Sequence, residues 1–203
     1  MAESRAGIII ETDPDMVAKL LSMGIGKKKE DGLHLHWLEA ALLSERNLLK
    51  IEQEGKELSR DALIAEPQEE KKGAKEAKKE KGKKSAKPKI AKNKSADSSG
   101  ASLLIPSRAD QYLIYRALRL GGRVVRFSEG SPLHWRVYER GVGREHERPQ
   151  MLLYLVTPEW SVSLSSLEQQ MQLARMLRQD LTLAFVRDGR PHMMRMSRPP
   201  VEG

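Results

Sequence analysis

The sequence predicts an α/β protein: a small N-terminal α/β domain, then a C-terminal domain whose mixed sheet is flanked by two helices. Three observations predict it. Short apolar runs of strand length alternate with segments of helical spacing. The helical segments carry their own start and stop residues. Between the halves lies a Lys-rich stretch whose one large apolar residue is Ile90, too little to offset chain entropy by burial. The expected boundaries are an N-terminal domain over 1–65, a flexible linker over 66–100 and a C-terminal domain over 101–203.

In the first domain, GIII (7–10) reads as a buried strand. PDMVAKLLSM (14–23) has helical spacing, with Asp13 as N-cap, Pro14 at the first helical position and Gly24 as the stop. LHL (33–35) alternates as a strand does, and His34 and His36 share that alternation. WLEAALLSER (37–46) has the composition of a good helix. LLKI (48–51) is a short strand, and SRDALIA (59–65) a last helical turn or two capped by Ser59.

The second folded part opens with a helix that Ser107 caps, Asp110 supports and Gly121-Gly122 end. Its expected apolar side is Tyr112, Leu113, Tyr115, Leu118 and Leu120. RVVRF (123–127) and HWRVY (134–138) are strands. MLLYLV (151–156) is a continuous apolar run, so a central strand covered on both faces. The longest helix is expected over 163–179, with Leu164, Leu167, Met171, Ala174 and Leu177 on one stripe. LTLAFV (181–186) and PHMMRM (191–196) then pair as a hairpin around RDGR (187–190).

Charge is unevenly placed. Residues 71–94 hold 12 Lys against 2 Glu; residues 1–70 hold 9 basic and 15 acidic residues. Residues 101–203 hold 15 Arg, 10 acidic residues and no lysine. Mobile ammonium groups such as Lys78, Lys79, Lys83 and Lys84 exchange with counterions around phosphate, so the tract reads as an RNA-attracting tether. It reads equally as a solubilising spacer. With no cysteine, disulfides and thiolate metal sites are excluded. The five histidines do not fall at metal-ligand spacing, and neither metal nor other cofactor is expected. No apolar window is long enough to span a membrane, and MAESRAG carries no apolar signal core, so a cytoplasmic protein is expected.

The stretch WRVYERGVGREHE (135–147) places Tyr138 and His146 on either side of a turn rich in Gly and Arg, including Arg140 and Arg144. A tyrosine in a strand, then Tyr138-Glu-Arg-Gly141, then His146, then a long helix leading into LTLAFV resembles the tRNA-intron splicing endonucleases. GLHLHWLEAALLSERNLLKI and the later SRDAL are similar to that family's N-terminal segment. The resemblance implies a nuclease-like C-terminal domain and metal-free RNA cleavage. A Tyr takes the ribose 2′-OH proton, a His protonates the departing 5′-oxygen, and a Lys stabilises charge on the phosphorus. The products are a 2′,3′-cyclic phosphate and a 5′-OH end.

In the family that Lys follows an Arg at the end of the long helix. The matching pair here is Arg178-Gln179, and no shift of alignment finds a lysine. An Arg seven residues earlier, which helps hold a flipped base, corresponds to Gln172. The resemblance therefore implies a structural, non-catalytic subunit of a heteromeric archaeal tRNA-splicing endonuclease, with Tyr138, His146 and Gln179 as degenerate family positions. Its partners would be a homologous catalytic subunit, in a heterotetramer of two subunits of each kind, and precursor tRNA. The family's interface positions fall on Asp188 of the RDG loop and on Met193, Met194 and Met196 of the last strand. Each has a plainer reading, a hairpin turn and core packing. Tyr138 also reads as a packed sheet residue and His146 as a solvated loop histidine. Two alternatives stay open: an active endonuclease in which Arg178 replaces the Lys, and an RNA-binding or assembly protein acting through its Lys tract.

Overall fold

The structure, a computed structural model, describes residues 2–5, 8–53, 55–65, 105–128, 133–139 and 149–196. The N-terminal lobe runs β1 (Ala2–Arg5), β2 (Ile8–Glu11), α1 (Pro14–Ser22), β3 (Lys27–Lys29), β4 (Gly32–Leu35), α2 (Trp37–Glu45), β5 (Ile51–Gln53), β6 (Lys56–Glu57) and α3 (Arg60–Ile64). The C-terminal lobe runs α4 (Arg108–Leu120), β7 (Val124–Phe127), β8 (His134–Tyr138), β9 (Met151–Leu155), α5 (Leu164–Met176), β10 (Asp180–Arg187) and β11 (Arg190–Met196).

The first sheet has the order β3-β4-β2-β1-β5-β6. Three of its strands escape a reading by apolar periodicity. β1 is polar at its centre, and forms because it pairs on both sides, antiparallel to β2 and parallel to β5. β3 is three exposed lysines paired to β4, a composition that suits a sheet edge. β6 is a two-residue edge on β5. His36 departs from the expected strand alternation. It caps α2: its Nδ1 accepts from Leu38 N at 3.3 Å, and Glu39 Oε2 accepts from His36 N at 2.9 Å, a reciprocal capping box.

The second sheet is mixed, in the order β11-β10-β9-β8-β7, with only β9 and β10 parallel. The apolar run forms β9 at its centre, as expected. Pleating sends alternate residues to opposite faces. Trp135 of β8, 1% exposed, meets Tyr115 of α4 and Phe127 edge-on. His134, on the other face, meets Gln170 of α5 at 3.2 Å. The two helices thus cover the two faces.

Both helical stripes hold in part. On α4 the buried residues are Gln111, Tyr112, Ile114, Tyr115 and Leu118, whereas Leu120 is exposed beside the helix end. On α5 the expected stripe holds at its centre, with Ala174 buried and Leu167 and Met171 half-buried against the core, but Leu164 is 74% and Leu177 37% exposed. The helix also stops at Met176, three residues short of expectation, because Arg178 adopts φ +54 and turns the chain.

The lobes join along α2 and α4. Tyr112 and Arg116 of α4 both donate to the Glu45 carboxylate. Arg119 donates to Met23 O at 2.8 Å and Arg126 to Gly26 O at 2.8 Å. The His36 ring stacks on Phe127 at 3.8 Å, and the Arg108 guanidinium lies 4.8 Å over Trp37. Arg108 Nη1 also donates to Leu63 O at 3.4 Å and to Ala65 O at 3.2 Å.

Candidate functional site

Tyr138 is the last residue of β8, half-buried, on the sheet face shared with His134 and Arg136. Register decides what lies beside it. Val137 pairs with Met151, and Met151 pairs with Asp180. Two further backbone bonds extend this row: Gln150 N donates to Val137 O at 3.0 Å, and Asp180 N to Gln150 O at 2.8 Å. Tyr138, Gln150 and Gln179 therefore share one end of the sheet. Two strand spacings separate the backbones of Tyr138 and Gln179, about 10 Å.

Gln179 arrives there through the ending of α5. Leu177 is the C-cap. The N–H of Arg178 donates to Arg175 O at 2.8 Å, and that of Gln179 to Ala174 O at 2.8 Å. This is a Schellman closure with Arg178 in the left-handed position that glycine usually takes. It fixes the backbone of residue 179 whatever its side chain. The Gln179 side chain sits over a small cavity of about 160 Å³, lined also by Met171, Ala174, Arg175 and Asp180. Its Oε1 is buried and has no hydrogen-bond partner among the described residues. Arg178 and Gln172 are both exposed.

His146, Arg140, Arg144 and the tract lysines Lys78, Lys79, Lys83 and Lys84 lie outside the described residues. The chain enters the 140–148 stretch after Glu139 and leaves it before Pro149, so both flanks stand at the Tyr138 end of the sheet. The described histidine nearest in sequence, His134, is not a substitute acid here. It lies four residues back along β8, about 13 Å from Tyr138. Burial lowers its pKa, against the raising effect of the Gln170 hydrogen bond, so it is neutral at pH 7. Among the described residues, no three carboxylate or imidazole side chains converge as a metal site requires.

The positions singled out on the last hairpin are spread around its edge. Asp188 and Gly189 form a two-residue turn with φ +52 and +68, the hairpin geometry a Asp-Gly pair favours. Met194 is 54% exposed, while Met193 and Met196 are half-buried against the core. Beside Met194 opens a groove of about 650 Å³ walled by Pro158, Trp160, Leu183 and Phe185. Sequence reasoning passes over Arg136, although simple alternation from Tyr138 would have put it on the same face.

Two protein-family models match the chain. Residues 3–64 match the N-terminal domain of tRNA intron endonucleases, and residues 109–192 match their catalytic C-terminal domain. A search of curated proteins finds no match. With the matched domains occupying its two lobes in turn, the chain belongs to the tRNA-intron endonuclease family.

Proposed function

We propose that this protein is the structural subunit of a heteromeric tRNA-splicing endonuclease, archaeal in type, and does not itself cut RNA. Membership of the family supports a role in tRNA splicing, in a family that acts on precursor tRNA and is generally multimeric. The observation that carries the non-cleaving assignment is Gln179. In the family's chemistry a fixed cation beside the tyrosine offsets charge that builds at phosphorus. At the sheet end shared with Tyr138 this chain offers a neutral amide, and residues 101–203 contain no lysine to replace it. Arg178 precedes it in a left-handed turn, exposed to solvent, and its guanidinium is larger and differently hydrated than an ammonium.

The job of such a subunit is to hold two catalytic copies at the spacing of two intron boundaries, and symmetric pairing is a common way to fix such a distance. The edge strand β11, with its exposed Met194 and the apolar groove beside it, offers a surface for a homologous catalytic subunit. Asp188 at the hairpin tip would be the residue that enters a basic pocket of an opposing pair.

The test is cleavage of an intron-bearing precursor tRNA without metal. The chain alone should yield no 2′,3′-cyclic phosphate ends. Co-purification should bring down a homologous polypeptide bearing the Tyr, His and Lys set, and the pair should cleave. Cleavage by the chain alone, abolished by Tyr138→Phe or Arg178→Ala, would overturn the assignment in favour of an active enzyme. RNA binding that vanishes on deletion of residues 70–100, with no partner recovered, would favour a basic RNA-binding protein instead.

A further inference from the structure

Two arginines face each other across β7 and β8 where a sheet would ordinarily avoid it. Arg126 pairs in register with Arg136. Like charges directly opposite destabilise a strand pair. Among the described residues, neither has a carboxylate within 4 Å, although the buried Glu39 carboxylate, bonded to Gly26 N, lies close enough to Arg126 to be stabilised by it. Tyr138 follows Arg136 by two residues on the same face.

We propose that Arg126 and Arg136 form a phosphate-binding surface for RNA, on the Tyr138 face of the sheet. This rests on the assignment to tRNA splicing and adds the place where this chain grips the substrate. Arg126 is half-buried and held by its bond to Gly26 O at 2.8 Å, so its guanidinium is positioned before any ligand arrives. Arg136 is exposed. Gly26 leads directly into the exposed lysines of β3, which continue the positive charge from the lobe junction into the N-terminal lobe. Planar guanidinium forks carried on strands match phosphate oxygens bidentately, and the rigid backbone lowers the ordering cost on binding. A phosphodiester backbone fits better than an acidic peptide because the surface adjoins the tyrosine of an RNA-cleaving fold. Glu39 offsets charge on the Arg126 side alone, so an anion lying between the pair would relieve the like-charge repulsion left at Arg136.

The experiment measures binding of the full chain to a precursor tRNA transcript by fluorescence anisotropy across a salt series. Arg136→Ala should weaken binding about tenfold and reduce the slope of log K against log salt by about one phosphate contact. Arg136→Lys should keep the slope and lose part of the affinity. Arg46→Ala, which removes one charge at the end of α2, should do neither. Circular dichroism should show Arg136→Ala folded, as expected for an exposed residue. Wild-type affinity and slope in Arg136→Ala would overturn this inference while leaving the tRNA assignment standing. A wild-type chain that does not bind the transcript would take both down. Normal RNA binding combined with lost assembly with the catalytic partner would show the surface to be a protein contact, and would also overturn it.

Discussion

His36 makes the joint between the lobes acid-sensitive, and the size of the effect follows from its surroundings. The ring caps α2, stacks on Phe127 and is mostly enclosed. Burial first, and the Arg108 guanidinium second, lower its pKa from 6.5 to about 4. The unfolded chain takes up this proton as pH falls through about 6.5, whereas the folded protein does so only near 4. The native state therefore keeps its full stability above pH 6.5 and loses it progressively down to pH 4. Each unit of difference is worth about 1.36 kcal/mol, so the total is roughly 3 kcal/mol. Neighbouring Glu39 works the other way. Burial raises its pKa, against the lowering effects of the Gly26 and His36 amides and of Arg126 and Arg119, so the folded state takes that proton first. Subtracting a variant isolates the histidine. His36→Asn retains a helix-capping side chain that does not titrate. Urea unfolding at pH 7.5 and 4.5 should show the wild type losing about 2–3 kcal/mol more than His36→Asn over that interval. Parallel pH profiles for the two proteins would refute the reasoning.

Trp135→Ala removes a side chain 1% exposed between Tyr115 and Phe127, and should cost about 3–5 kcal/mol with loss of near-ultraviolet dichroism. Arg178→Gly relaxes a left-handed non-glycine residue at the end of α5 and should raise stability by about 1 kcal/mol; a lowered urea midpoint would show that the guanidinium makes a contact that matters more. Gln179→Met removes a buried acceptor that has no partner among the described residues, and should stabilise by about 1 kcal/mol in the same assay.

The order of helices and of C-terminal strands was legible because each carries its signal locally. Ser107 bonds Asp110 N as an N-cap should, and the Asp188-Gly189 turn follows from its dipeptide. What was not legible depends on distant pairing. β1 and β3 exist because neighbouring strands present free edges to them, and nothing in AESR or KKK announces that. His36 read as a strand residue because alternation and an N-cap look alike over four residues. Capping becomes visible only with Glu39 three positions on, a signal that was present. α5 was legible at its centre, where Leu167, Met171 and Ala174 of the expected stripe face the core, and not at its ends, where Leu164 and Leu177 are exposed. For the site, sequence order carried the family positions. Only the register through β9 brings Tyr138 and Gln179 to one sheet end, and only pairing sets Arg126 against Arg136.

The hydrogen bonds from Arg108 to Leu63 O and Ala65 O have a consequence for how this protein can vary. They clasp the chain where it departs the N-terminal lobe to the helix that begins on its return, so residues 65 and 108 are held together however many residues lie between them. For a flexible chain, the free energy of holding two points together rises only with the logarithm of the length between them, about 0.6 kcal/mol for each doubling. Insertions and deletions between the two matched domains thus leave the joint itself untouched, and tract length becomes a trait that evolution can tune independently of the folded body.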